Sequence, residues 1–454
     1  MIHPSLYPGD SAFVLAHTRV SVFSHIFAGM IGGFRLPLAP SLLVAWLFSA
    51  VLFLYACHRL ALRVFDNDRV SWIAVFFAAA CFTLPVAGTA LFIMDPYLTA
   101  RSFSTPFSLL AVVAVLDRRW TRAAIWISLT AAMHPQMAAY LIGFIAVLVL
   151  IDRGRWRGAV VLSILGIVAC GGLWLATLHS PVTAAYREAI LSRSYFFPAF
   201  WRWYELFGLA APLALFGLTW RQCGGQHPAG KLAAACFLLG AATCVAAFLL
   251  VHPQGPYLLA RIQLLRSFQI LYIVGLVLLG GAIGRAFSQR YRWVPAVLFL
   301  IAAAGMLDAS RQTWAGSAPI DWPGSEPSSP WSQALVWIQH NTPPDAVFAV
   351  SPTLLTSPAE DLSGFRARAQ RSVLVDNKDE GVASIFPAVA PAWKLRSAAE
   401  EGLDQMSPAE REARLAPWHV TWLLLPSAAA RGLSCQYRNE AVAVCPMGPI
   451  SGSL

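Results

Sequence analysis

Long apolar runs fill the first two-thirds of this chain, and near Asp308 they give way to a polar tail of roughly 145 residues. A helix needs about 20 apolar residues to cross a bilayer, fewer if it stops short inside a bundle. Stretches 36–57, 70–94, 157–178 and 231–251 meet that length. Six others, 103–116, 123–133, 137–151, 206–220, 267–284 and 293–307, are shorter, each near or below the usual minimum length. The expected fold is a polytopic α-helical membrane protein of about ten spans with a C-terminal α/β soluble domain.

Orientation follows from the arginines, because short loops rich in Lys and Arg stay cytoplasmic. Arg59, Arg63 and Arg69 share one loop, Arg118, Arg119 and Arg122 the next of the same side; then come Arg153, Arg155 and Arg157, then Arg221 and Lys231, then Arg285, Arg290 and Arg292. An even number of spans places the N-terminal segment, the connections at 95–102, 179–205 and 252–266, and the tail on the opposite face. In a bacterial inner membrane that face is periplasmic. The expected division is 1–36, an exofacial N-terminal loop with surface helices; 37–307, a transmembrane helical domain; and 308–454, an exofacial α/β domain. The exofacial side nevertheless carries Arg19, Arg35, Arg101, Arg187, Arg193, Arg202, Arg261 and Arg266, against the trend.

The formal net charge of +10 divides into roughly +14 for residues 1–307 and roughly −4 for the tail. Basic residues confined to short loops offer no continuous groove for a duplex, so no nucleic acid is expected as a partner. Membrane lipids are the better fit to that charge. Cys57, Cys81, Cys170, Cys236 and Cys244 lie in or at the ends of spans and Cys223 in a loop, without metal-ligand spacing. Cys435 and Cys445 flank two short strands around a turn at 438–441, where an oxidising compartment allows a cross-strand disulfide.

No segment of signal-peptide form opens the chain. The stretch 11–34 is only moderately apolar and reads as one or two helices on the exofacial surface, before a first span after Pro37; alternatives are that it crosses the membrane, or that the chain begins upstream with another span. In the tail, a Pro/Ser-rich hinge at 319–330 precedes a helix at 331–341, where Trp331, Leu335 and Ile338 recur at helical spacing. Thr342-Pro343-Pro344-Asp345 ends it. Strands are expected at 346–350, 372–375 and 420–425, two edge strands around Cys435 and Cys445, and a charged, solvated helix at 400–415.

The tail opening, Trp337-Ile338-Gln339-His340-Asn341-Thr342-Pro343-Pro344-Asp345-Ala346-Val347, and the later Arg371-Ser372-Val373-Leu374-Val375-Asp376-Asn377 are similar to the soluble domain of oligosaccharyltransferase catalytic subunits. With the multi-span layout and an exofacial Asp in the first loop, the chain resembles the GT-C superfamily of membrane glycosyltransferases. Tyr7-Pro8-Gly9-Asp10, Asp95-Pro96 with Arg101, and His134-Pro135 resemble a bacterial branch of it. The resemblance implies transfer of a sugar from a polyprenyl-phosphate lipid donor to a glycan or lipid acceptor. The Trp-Trp-Asp-Tyr-Gly signature of oligosaccharyltransferases is missing, with Ser351-Pro352-Thr353-Leu354-Leu355 in its place, so recognition of an Asn-containing sequon is unsupported. The paired acidic motif of the first loop is reduced to one Asp. No cofactor is expected, and a divalent metal is not supported.

Such a transfer needs a base for the acceptor's proton and positive charge for the phosphate. Exofacial acids in the membrane part are Asp10, Asp95, Glu188 and Glu205. Asp10, in the position the superfamily uses, and Asp95 are the catalytic candidates; their bland roles are a helix cap and a turn residue. Arg101, Arg261, Arg266 and His134 are the candidates for the donor phosphate. The bland alternatives are helix stops at headgroup level for Arg261 and Arg266, and a proline break with a backbone-satisfied ring for His134. The aromatic loop Tyr186, Tyr195, Phe196, Phe197, Phe200, Trp201, Trp203, Tyr204 suits the membrane interface or a sugar-stacking platform. A non-catalytic GT-C-like scaffold and, further off, a transporter are the competing functions; the scarcity of ionisable residues in mid-span and of any sequence repeat weighs against the transporter.

Overall fold

The computed structural model describes residues 7, 9–287, 291–313, 315, 322–325, 327, 329–355 and 364–447. It is 69% helical, and it divides into two compact units: Met1–Arg19, Val182–Arg193 and Ser310–Leu454 in one, Val20–Pro181 and Ser194–Ala309 in the other. Much of the expected hinge at 319–330 lies outside the described residues.

The larger unit is an α-helical bundle. Among the described residues, six helices are long and apolar enough to cross a membrane: Leu38–Val64, Pro135–Asp152, Trp156–Thr177, Pro228–Leu250, Leu258–Phe287 and Val294–Thr313. This makes the chain a multi-pass membrane protein. Trp156–Thr177 buries only Ala159 in the isolated chain, with Val161, Ile164, Leu165 and Val168 outward, as befits a lipid-facing surface. Pro135 opens its helix at the first turn, where its missing N–H costs nothing, and so separates the Trp120–Met133 and Pro135–Asp152 helices at His134.

One expected span is reshaped. The run 70–94 is not one helix: Asp68–Ala80 ends at Cys81, and the chain then doubles back, with Val86 N–H donating to the Leu91 carbonyl at 2.8 Å and Met94 N–H to that of Phe82 at 3.0 Å. Pro85 cannot donate, Ala87 and Ala90 take positive φ, and Gly88 fits beneath a ring, so the backbone leaves the helix although every residue stays apolar. Val86, Leu91, Ile93 and Met94 are buried, and irregular backbone at membrane depth survives where protein covers it. The segment before 267 is likewise broken, into a short Leu258–Ile262 helix, a left-handed Gln263 at φ 54° and a 3₁₀ turn Leu264–Ser267 before Phe268–Phe287.

The smaller unit holds a five-stranded sheet: β1 Val347–Val350, β2 Ser372–Val373, β3 Trp422–Pro426, β4 Tyr437–Arg438 and β5 Val442–Pro446, in the order β2-β1-β3-β5-β4. β1 runs parallel to β2 and β3, while β5 is antiparallel to β3 and β4. Of the two strands expected at the edge, β4 lies there and β5 lies inside, because its buried Val442–Cys445 needs cover on both sides. One sheet face packs on the Pro330–Asn341 helix through Trp331, Leu335 and Ile338, the other on Leu403, Met406 and Leu415. The expected helix at 400–415 is two helices, Ala390–Glu400 and Pro408–Leu415, parted by a turn. Their charged residues are not all solvated: Glu400 and Arg411 are buried. The remote helix Ala184–Leu191 joins this unit through Lys394–Glu188 at 2.6 Å, and Arg193 follows with Glu380 at 3.2 Å.

Candidate functional site

In the bundle, the turn after the doubled-back segment sets Asp95 before the Ala100–Leu116 helix. Thr99 caps that helix in a reciprocal capping box with Ser102, which fixes Arg101 in the first turn. The buried Asp95 carboxylate accepts from Thr99 Oγ1 and pairs with Arg101 Nη2 at 2.9 Å. Trp46 Nε1 holds the Asp95 carbonyl at 2.9 Å.

The broken segment supplies the second half. Arg266 comes off its 3₁₀ turn within electrostatic reach of both Arg101 and Asp95, and its guanidinium stands 5.8 Å from the centre of the Tyr195 ring. The Ile262 carbonyl accepts from Gln136 Nε2 at 2.6 Å and from Tyr140, whose hydroxyl also reaches the Gln263 carbonyl at 3.0 Å. Gln136 and Tyr140 sit one turn apart just after His134-Pro135, so that break anchors the left-handed Gln263. Around it opens a small cleft lined by Arg266, Gln263, Tyr195, Phe196, Trp201 and Thr89 among others. Arg266 Nε, Gln263 Oε1 and Trp201 Nε1 are buried there without hydrogen-bond partners among the described residues, as is Arg101 Nε nearby.

Asp95, Arg101 and Arg266 are thus brought together. His134 is half-buried at the helix break, its carbonyl accepting from Ala138 N–H at 3.1 Å. Arg261 is half-buried on the short helix without an ion-pair partner among the described residues. Tyr195 and Trp201 of the aromatic loop line the cleft, whereas Trp203 and Tyr204 are exposed. Thr99, Gln136 and Tyr140 escaped sequence reading; the four-residue spacing of Gln136 and Tyr140 behind a His-Pro break was the available signal.

Asp10 belongs to the other unit. Its side chain does not cap the Ser11–Val14 helix; it is buried and accepts from Arg366 Nε at 2.7 Å and Val373 N–H at 3.2 Å, with Arg396 Nη1 at 3.7 Å. Arg366 also forms a bidentate pair with Asp379, both bonds 2.7 Å, and lies 3.6 Å from Asp376. Burial alone would lower the Arg366 pKa, but Asp379 foremost, then Asp10 and Asp376, hold it above the ordinary arginine range. Cys435 and Cys445 are bonded in the same unit. No group of three His, Cys, Asp or Glu among the described residues is placed to hold a metal.

Comparison with known families matches residues 329–387 to a domain of unknown function, DUF6798. It covers the Pro330–Asn341 helix, β1, β2 and Arg366 with Asp376 and Asp379, but neither Asp10 nor Arg396. No curated protein matches the chain.

Proposed function

We propose that this chain is a GT-C-type membrane glycosyltransferase of about ten spans, moving a sugar from a polyprenyl-phosphate donor to an exofacial acceptor hydroxyl, with its soluble unit periplasmic in a bacterial inner membrane. The observation that carries the reading is the pair of arginines, Arg101 and Arg266, converging beside Asp95 with buried Nε donors left over, next to a cleft walled by Tyr195 and Trp201. Guanidinium groups suit phosphate, and an aromatic wall suits a sugar face or an isoprenoid. In this reading the donor phosphate draws Arg101 off Asp95. The freed carboxylate then takes the acceptor's proton while the acceptor oxygen bonds to the anomeric carbon. The bond from that carbon to the phosphate oxygen breaks, and Arg101 and Arg266 hold the leaving charge. Arg261 and His134 flank this set as secondary phosphate contacts. Asp10, bound by Arg366, serves the soluble unit.

The test is a reconstituted transfer assay with a polyprenyl-phosphate sugar. Asp95→Asn should lower transfer by about 10²-fold or more with donor binding retained, and Arg266→Gln should weaken donor binding by about tenfold or more. Asp10→Asn should lower stability while leaving turnover per folded molecule unchanged. Full transfer by Asp95→Asn together with its loss in folded Asp10→Asn would return the base to Asp10. Donor binding without transfer by the parent protein would favour the scaffold, a reading to which the closed Asp95–Arg101 pair lends itself.

A further inference from the structure

The Ala100–Leu116 helix has 17 residues, so its far end lies about 25 Å from Arg101. There, between it and the Leu38–Val64 and Trp120–Met133 helices, a second cleft is lined by Tyr55, Arg59, Val113, Arg119, Arg122 and Trp126 among others. Arg59 donates to the Tyr55 hydroxyl at 3.0 Å and stands 5.9 Å from that ring's centre. The one carboxylate lining the cleft, Asp117, is already bound by Arg63 through Nε at 2.5 Å and Nη2 at 3.0 Å. Arg59, Arg119 and Arg122 have no carboxylate partner among the described residues. The adjoining cleft differs: there Asp152 pairs with Lys231 at 2.8 Å and Arg118 at 3.4 Å. Three positive charges therefore face one cavity uncompensated, although such charges repel unless an anion joins them. The rest of the wall is apolar, and Tyr55 and Ile125 carry it onto the exposed helix faces where Phe48 and Val51 also point outward.

We propose that this cleft is a binding site for an anionic phospholipid, its phosphate held among Arg59, Arg119 and Arg122 and an acyl chain laid along Val113, Ile125 and Trp126. The apolar wall argues for a lipid over a free phosphate, because a small anion would leave that wall wet. The site does not depend on the transfer chemistry.

Native mass spectrometry of the full chain, equilibrated with phosphatidylglycerol and phosphatidylcholine of matched chains, tests it. The parent protein should retain one phosphatidylglycerol with a preference of about tenfold or more. Arg59→Gln/Arg119→Gln/Arg122→Gln should bring that preference close to unity. Arg155→Gln/Arg157→Gln, which removes two exposed charges from another loop, should keep it. If the triple variant does not fold, Arg119→Gln and Arg122→Gln singly, both on exposed side chains, should each lower the preference several-fold. Equal retention of both lipids, an unchanged preference in the variants, or displacement of the lipid by glycerol phosphate at equal concentration would overturn the proposal.

Discussion

Arg366 holds together the acidic cluster of the smaller unit, pairing with Asp10, Asp376 and Asp379. Removing its charge by Arg366→Met would leave Asp10, Asp376 and Asp379 buried with only Arg396 in reach of Asp10, a loss of about 3–5 kcal/mol for an uncompensated cluster of this kind, read as a lowered midpoint in urea. Arg371 acts locally, donating to the Gln339 and Thr342 carbonyls at 2.8 and 2.6 Å and so closing the end of the Pro330–Asn341 helix. Glu400 gives a pH signature. Burial raises its pKa well above the ordinary glutamate range, against the Val350 N–H that donates to it at 3.0 Å. The folded state therefore holds a proton that the unfolded chain has released, and stability falls as pH climbs from the ordinary glutamate value through the raised one. Glu400→Gln keeps the acceptor oxygen without the charge. It should match the parent near pH 4 and exceed it near pH 8; parallel stability curves across that range would show Glu400 ionised at no cost. None of this was legible in sequence. Asp10 offered a cap or a base because its real partner lies 356 positions away, and Glu400 looked solvated because a charged stretch gives no sign of which member turns inward.

Among elements, the helices and strands of the tail were readable because each carries its own periodicity and stop signal, as Trp331, Leu335 and Ile338 followed by Pro343-Pro344 illustrate. The membrane unit was readable only where apolar length and helix coincide. At 81–99 hydropathy alone was blind to shape, since a buried hairpin-like return and a span have the same composition; Pro85 and Gly88 were the local hints. Gly88 gives that return a direct test. A Cβ there would fall 2.5–2.9 Å from the Trp201 ring, so Gly88→Ala must move a buried indole beside the cleft, at a cost of about 1–3 kcal/mol. The melting temperature should drop, and Trp201→Leu in the same chain should recover part of the loss. If the two substitutions are simply additive, the ring does not rest on Gly88.

At the scale of the molecule, one compact unit draws on residues 9–19, 182–193 and 310–447. A unit assembled outside the bilayer needs its pieces on one side, so an even number of crossings must separate them. The six long apolar helices fall three between Arg19 and Val182 and three after Arg193. If this unit lies outside the bilayer, each stretch would need at least one further crossing, for which the Ala100–Leu116 helix and the 21-residue Trp203–Cys223 helix are candidates. The parity can be checked by impermeant thiol labelling of intact cells expressing Arg187→Cys or Glu412→Cys, both at exposed positions. Both thiols should react alike, and with the tail outside both should react without permeabilisation. Labelling of one alone would break the parity argument.

The Asp10–Arg366 pair also sets a clock. At the usual 5–20 residues per second, a ribosome that has made Asp10 reaches Arg366 roughly 20–70 s later. Throughout that interval the N-terminal carboxylate has no guanidinium to receive it, and the mid-chain Ala184–Leu191 helix waits for Lys394. The smaller unit therefore closes only after the membrane helices have emerged, so its burial of Asp10 reports that its three pieces came to the same side of the membrane.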